Sequence, residues 1–513
     1  MLIHPPVVKP CEPPAGIARL AGTLRAHGVT CFVIDANIEG FYYLLDHIRP
    51  PTDTWSKRAY KNLDRHLKGF RGPSFYQGMD QYRRAVADIG RLLHLTANPQ
   101  KIQLSLTDYR DQQLSPVQSL DLLRSAKEPE RNPYFDYYHN QLLPQIFKLK
   151  PTIIGISINY LSQSLCAFAL IGLLKRIAPS SKIFLGGGLI TSWVNGSDNI
   201  HYFNDQVSSI VDQVVSGPGE TTLLKTAGLT MKADLNAPDY SDFLNVPYLS
   251  PGFILPFSTS DGCWWRRCTF CPEQAEQRVF QPLPLQIALN QLHQLSLRTA
   301  PILIHILDNA ISPLMLKAMA TAPQNAPWYG FVRIATPLDD LDFCRQLAAS
   351  GCVMLKLGLE SGNQSVLKSL GKGVDLSMAA AVLKNLSKVG IATYVYLLFG
   401  TPAEDSVKAQ DTLDFVVKHH KAVTFLNLSI FNLPSNSPTA TGLTLHQFYE
   451  GDLSLYRNFN HPKGWDRTHI RRFLAKTFKK HPIIQPIIRR DPPIFTSNHA
   501  PFFNVRSKDQ DTC

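Results

Sequence analysis

Asp261-Gly262-Cys263-Trp264-Trp265-Arg266-Arg267-Cys268-Thr269-Phe270-Cys271 places three cysteines on one short loop, spaced C-x4-C-x2-C. Three thiolates this close can hold three corners of a [4Fe–4S] cluster and leave its fourth iron open, since cysteine sulfur is the usual ligand of such clusters. The same loop can also be a zinc loop or a trio of core thiols. Zinc normally takes four protein ligands, and its ribbons offer a second cysteine pair at a distance. No second C-x2-C occurs, and Cys11, Cys31, Cys166, Cys344, Cys352 and Cys513 are scattered. Local spacing therefore favours the cluster, with zinc and core cysteines as alternatives.

Outward from this loop runs a series of βα units. Strands are expected at Leu255 to Thr259, Ile302 to Leu307, Trp328 to Ile334, Val353 to Leu359, Thr393 to Phe399 and Phe425 to Ile430. Helical stretches such as Pro284 to Leu297, Leu341 to Ala349 and Met378 to Val389 fall between them. Six such units predict a partial (β/α)6 barrel over residues 255–435. Parallel barrels place their chemistry at the carboxyl ends of strands. Those ends carry the cysteine loop, Asp308 and Asn309, Arg333, Glu360 to Asn363, and Gly400 to Glu404.

Residues 1–230 predict a separate Rossmann-like parallel sheet. Met1 to His4, Val29 to Ile34, Thr152 to Ile158, Ile183 to Leu185 and Val211 to Val215 read as strands, with helices over Pro13 to His27 and Ser164 to Ile177. Its strand ends are small or polar: Asp35, Ser157, Gly186-Gly187-Gly188, and Gly217 to Glu220. Ligands of such sheets sit beyond the strand carboxyl ends, and glycines there let a large ligand approach or simply make a tight turn. Residues of about 40–150 read as a mostly helical insertion whose aromatic clusters are expected to pack it onto its host, with substrate binding as the alternative. The Pro-rich stretch 231–254 reads as a linker, and 436–513 as an α-rich C-terminal region. In that tail His499 is a candidate proton-transfer group or ligand beside the alternative of a packed tail, and 506–513 reads as disordered.

At 513 residues the chain is too long for one ordinary core. Hydrophobic content of 44% with 18% charged residues fits a globular protein. The longest apolar run, Leu165 to Leu174, is too short to span a membrane. The start Met-Leu-Ile-His-Pro-Pro has no export signal, and nine unevenly spaced cysteines fit a reducing cytoplasm. The net charge of +12 concentrates between Lys57 and Arg84 and between Arg457 and Arg490. Such stretches suit nucleic acid or a solvated face, and no nucleic-acid module accompanies them.

Taken together, the cysteine loop with Phe270, Leu357-Gly358-Leu359-Glu360-Ser361-Gly362 and Leu397-Leu398-Phe399-Gly400-Thr401-Pro402-Ala403-Glu404 resemble the radical S-adenosylmethionine (SAM) superfamily. The first half looks like the cobalamin-binding domain of one branch, on Pro13-Pro14-Ala15-Gly16-Ile17, Val33-Ile34-Asp35-Ala36-Asn37, Gly186-Gly187-Gly188 and Gly217-Pro218-Gly219-Glu220. There are two departures. The superfamily's commonest loop is C-x3-C-x2-C, and no Asp-x-His-x-x-Gly supplies the cobalt-ligating histidine of many cobalamin proteins. His27-Gly28 precedes a strand and is wrongly placed to replace it. The second absence also permits a degenerate domain that binds no cobalamin.

The resemblance implies that Cys263, Cys268 and Cys271 hold a [4Fe–4S] cluster whose open iron binds SAM and cleaves it reductively. It implies that Glu360 receives the SAM ribose and Arg333 its carboxylate, with Phe270 and the backbone of Gly400, Thr401 and Pro402 near the adenine. Gly186, Gly187, Gly188, Ser157, Gly217 and Glu220 would lie at cobalamin. Cobalamin-assisted methylation or rearrangement of a small molecule or peptide follows, with an electron donor such as flavodoxin or ferredoxin. An RNA-modifying enzyme of the same superfamily and a non-catalytic metal-binding interaction protein are the alternatives. No side chain is singled out as catalytic.

Overall fold

Short apolar runs give the first half its sheet. In the computed structural model, which describes residues 1–97, 101–196, 200–230 and 236–494, five strands pair in parallel: β1 (Leu2–His4), β2 (Val33–Asp35), β3 (Ile153–Ser157), β4 (Lys182–Gly186) and β5 (Gln213–Val214). Their order is β2-β1-β3-β4-β5. From β1 the chain goes to β2 on one side, then returns to β3 on the other, so the topological switch point lies between β1 and β3. In open α/β sheets that is where a crevice opens.

Helices supply the crossovers. Helix α1 (Ala15–Ala26) follows β1, and α2 (Ala36–Asp46) starts directly at the end of β2. Asp35 makes this junction, because its carboxylate accepts from the backbone N–H groups of Asn37 and Ile38 at the helix start. Helix α3 (Leu161–Ile177) is buried without a break from Gln163 to Leu174, which explains its nearly all-apolar sequence. The insertion between β2 and β3 is chiefly helical, with long helices at Thr54–Phe70 and Met79–Thr96 and a two-stranded ribbon of Ile102–Leu104 with Tyr109–Asp111. Tyr134, Tyr137 and Tyr138 are buried there, and the Tyr137 ring lies 5.8 Å from that of Tyr43 in α2.

The chain divides into two compact units: Met1–Phe253 with Tyr449–Leu455, and Ile254–Phe448 with the described residues from Tyr456 onward. From residue 236 the stretch read as a linker is tied to the first unit. Arg25 pairs with Asp239 and Asp242, each at 2.7 Å, and the Tyr248 hydroxyl donates to Asp35 at 2.6 Å. Asp452 joins the same unit by accepting from the backbone N–H and hydroxyl of Ser119.

In the second unit six parallel strands stand in sequence order: β6 (Ile254–Phe257), β7 (Leu303–Ile306), β8 (Trp328–Val332), β9 (Cys352–Glu360), β10 (Ala392–Phe399) and β11 (Phe425–Ile430). β6 and β11 form the open edges of this partial barrel. Ile254, Leu303, Tyr329, Met354, Ala392, Tyr394 and Phe425 form one buried cluster, a residue from every strand. The tail adds a three-stranded antiparallel ribbon (Leu433–Pro434, Leu445–Gln447, Tyr456–Phe459) to its helices. His499 and the stretches 498–503 and 506–513 lie outside the described residues.

Gly172 shows how tightly α3 is seated: a Cβ there would stand 1.8 Å from the Ala126 carbonyl oxygen. Gly172→Ala should therefore cost about 1–3 kcal/mol in urea unfolding. Gly90→Ala, in a helix position with open space, should be neutral or stabilising by up to about 1 kcal/mol. Equal effects at the two sites would contradict this packing.

Candidate active site

The cysteine loop is held at both ends. At its start, Asp308 beyond β7 is 1% exposed and accepts from the backbone N–H and hydroxyl groups of both Thr259 and Ser260. Burial pushes the Asp308 carboxyl upward while these four donors pull it back. Further along, the Thr269 N–H donates to the Leu370 carbonyl and the Trp265 indole N–H to the Gly371 carbonyl, each at 3.0 Å. The Thr269 carbonyl in turn accepts from the hydroxyls of Ser437 and Thr439.

Gly371-Lys372-Gly373 is the socket. Both glycines have positive φ, and a Cβ on Gly373 would lie 2.2 Å from the Trp265 ring. A side chain at either position would push the loop away. The expectation from sequence did not include Lys372 or Trp265. Their only sequence signal is a lysine between two glycines, which marks a turn and not a function.

Cys263, Cys268 and Cys271 are each partly exposed, whereas Cys11, Cys31, Cys166, Cys344 and Cys352 are buried. Burial pushes the Cys271 thiol up to about 12, opposed by a hydrogen bond from the Glu273 backbone N–H. Burial also raises Cys268, opposed by the positive charges of Lys372 and Arg333. Among the described residues, no three His, Cys, Asp or Glu side chains gather as one metal ion needs.

Arg333 follows β8 and is 8% exposed. Its guanidinium donates to the Cys268 sulfur at 3.8 Å and to the Lys372 carbonyl, and lies 4.0 Å over the Trp265 ring. Its Nε is buried with no protein acceptor. Burial lowers its pKa, against the pull of Cys268, Cys263 and Glu360. The Lys372 ammonium pairs with Glu360 at 2.7 Å and stands 5.6 Å over Phe270. Glu360 takes a left-handed backbone, φ 68°, where the register of β9 against β10 shifts. Such a conformation costs about 1–3 kcal/mol and is kept where surrounding contacts fix it. Cys268, Phe270, Arg333, Glu360 and Lys372 thus form one chain of contacts.

Gly400, Thr401 and Pro402 are not in that chain. The Thr401 carbonyl accepts from His461, and a Cβ on Gly400 would lie 2.3 Å from Ile470. Glu404, fully buried, accepts from the Gly400 N–H and the Trp465 indole. Segment 461–470 thus covers the backbone expected beside the adenine.

In the first unit, Ser157 ends β3 and its hydroxyl accepts from the Asn159 amide. A Cβ on Gly187 would strike the Ile158 backbone at 2.3 Å, so the chain's own turn requires that glycine. Gly186 and Gly188 flank it with ordinary space, and Gly217 has none of the protein within 4 Å of its missing side chain. Glu220 is paired with Arg19 at 2.6 Å. A partnerless buried nitrogen, Nδ1 of His4, lies at the end of β1.

Residues 257–416 of this chain match the family model of the Radical SAM superfamily. Bacteriochlorophyllide d C-12(1)-methyltransferase of Chlorobaculum tepidum is 24% identical over 261 residues, 48% of this chain and 56% of that protein. The chain thus spans about half the length of this curated relative. Two structures of the cobalamin-dependent SAM radical enzyme OxsB, one with aqua-cobalamin and one with aqua-cobalamin and SAM, share the fold at a TM-score of 0.51. Each is 16% identical and covers 63% of this chain and 58% of the other. No helix among the described residues is long and apolar enough to cross a membrane.

Burial pushes Glu404 up to about 7 from 4.5. Between those pH values the folded chain holds a proton that the unfolded chain has released, so stability falls as pH rises through this window. Glu404→Gln should lack this loss. Its unfolding free energy relative to wild type should rise by up to about 3 kcal/mol between pH 4.5 and pH 8. A pH-independent difference would show that the carboxyl titrates normally.

Proposed function

We propose that this chain is a radical SAM enzyme that uses a [4Fe–4S] cluster on Cys263, Cys268 and Cys271 to cleave SAM reductively, and cobalamin to methylate a small molecule. The observation that carries the reading is the set of three half-exposed thiols on one pinned loop, with Arg333 against Cys268 and the Glu360–Lys372 pair beside it. The donor set fits a cluster, since thiolates are its ligands and N–H groups aimed at sulfur are its usual support. When bound, the cluster supplies the electron that splits the SAM carbon–sulfur bond into methionine and a 5′-deoxyadenosyl radical, and cobalamin supplies a methyl carrier.

The protein's part is binding and positioning. Arg333 holds a positive charge at the Cys268 sulfur, which favours the more negative reduced state. Its free Nε and the Lys372 ammonium are donors for the SAM carboxylate. Glu360 has one oxygen on Lys372 and is the acceptor for the ribose hydroxyls. Phe270 adds an apolar wall beside Lys372.

The first unit's switch point supports the cobalamin part, and His4 Nδ1 is the orphaned polar atom there. Methylation is favoured by the name of the curated relative, and an electron donor such as flavodoxin or ferredoxin would serve the cluster.

Anaerobic reconstitution should give about four irons per chain and, with dithionite and SAM, 5′-deoxyadenosine. Cys268→Ala should lose both. Well-folded wild type without iron or product would overturn the reading. Glu360→Gln should keep its iron but bind SAM about 10- to 100-fold more weakly, as expected for losing a charged hydrogen-bond acceptor. Unchanged SAM affinity would remove Glu360 from that role.

A further inference from the structure

We infer that the outer face of the helical stretch at 467–480 is the docking surface for an acidic protein that carries single electrons, of the flavodoxin or ferredoxin kind. This rests on the radical SAM part of the proposed function, which draws its electron from outside the chain, and adds to it the place where the carrier binds.

Charge is the first argument. From Arg467 to Arg490 the sequence is rich in Arg and Lys and holds no Asp or Glu. The chain is helical over Arg467–Phe473 and on through Leu474–Phe478. Arg472, Lys476 and Lys480 follow one another at intervals of four residues, with Arg471 and Lys479 beside them, and all are exposed. None of these side chains forms an ion pair among the described residues. Like charges four apart on a helix repel and weaken it, so the row costs stability and returns none. A surface of opposite charge gives it a purpose.

Place is the second. The inner side of the same stretch is seated on the carboxyl ends of β10 and β11. The ring of Phe399, the last residue of β10, lies 6.2 Å from that of Phe473 and 5.5 Å from that of Phe478. Arg467 donates to the carbonyl of Phe431, just beyond β11, at 3.1 Å. The barrel strands are all parallel. These ends therefore lie at the same end of the barrel as the cysteine loop, Arg333 and Glu360. Ser437 and Thr439, from the chain after β11, also donate to the Thr269 carbonyl in that loop. A carrier on the basic face thus meets the end of the barrel that bears the thiols.

The make-up of the face selects the partner. Among the described residues from 456 onward, no large hydrophobic side chain is exposed. The face has nothing to sink into a bilayer and no ring on which bases could stack. The other basic stretch is different. In the helix Thr54–Phe70 the exposed Lys57, Lys61 and Lys68 are interleaved with Asp64, and with Trp55 and Tyr60 at 45% and 52% exposure. A plain row of cations suits the small, charge-steered interfaces of electron carriers. One electron leaves the carrier, which is oxidised by one, and enters the cluster, which is reduced by one; no bond forms or breaks in this step.

The test is 5′-deoxyadenosine formation by the full, reconstituted chain, driven either by reduced flavodoxin or ferredoxin or by dithionite, which needs no docking surface. Combining Arg472→Glu, Lys476→Glu and Lys480→Glu should raise the half-saturating carrier concentration about tenfold or more and leave the dithionite-driven rate within about twofold. The same three positions changed to Gln, with a smaller rise, serve if the Glu variant fails to fold. In wild type the half-saturating concentration should climb with salt between about 50 and 300 mM, as exposed charges are screened. An unchanged carrier requirement in the variants overturns the inference, as does an equal rise on combining Lys57→Glu, Lys61→Glu and Lys68→Glu. Wild type that works with dithionite but with neither carrier overturns it too, and so does RNA binding that depends on the row while the carrier requirement stays put. Wild type that makes no product even with dithionite overturns it together with the radical SAM reading.

Discussion

The docking of the cysteine loop onto the Gly371-Lys372-Gly373 turn is the contact on which the rest of the site depends. It joins the first barrel crossover to the turn after β9, and both glycines are there because Trp265 and the loop backbone leave no room for a Cβ. Asp308 fixes the other end with four hydrogen bonds in a buried setting, where a charged acceptor is worth more than in water. The three thiols, each partly exposed, stand on or next to this pinned loop.

The charges around the loop are costly for stability. Arg333, Lys372 and Glu360 are nearly buried, and desolvating such groups consumes most of what their pairing returns. Glu360 also keeps a left-handed backbone. Buried charges and strained backbone gathered beside three thiols are the pattern of a site kept for chemistry. The contrast with the Tyr329–Met354–Phe425 cluster at the barrel's base, which is apolar packing, is plain.

What was readable in the sequence follows from where the signal is local. All six barrel strands lie within one or two residues of the expected runs, because apolar periodicity marks a buried strand directly. The cysteine spacing and the strand-end Arg333 and Glu360 were equally visible, and the structure connects them. Lys372 was not, since a Gly-Lys-Gly turn carries no periodicity and its meaning arises only when it meets Trp265 and Glu360 across the fold. The cover over Gly400 to Pro402 was hidden for the same reason: His461, Trp465 and Ile470 lie some sixty residues further on. His4 read only as a strand end, because an unpaired buried nitrogen is a property of packing.

Electron paramagnetic resonance of the dithionite-reduced, reconstituted protein, with and without SAM, puts the open-iron site to the test. A [4Fe–4S] signal that changes on adding SAM, and is absent from Cys268→Ala, is the outcome predicted here. A cluster signal indifferent to saturating SAM would mean that the fourth iron is closed to it, and would contradict the account.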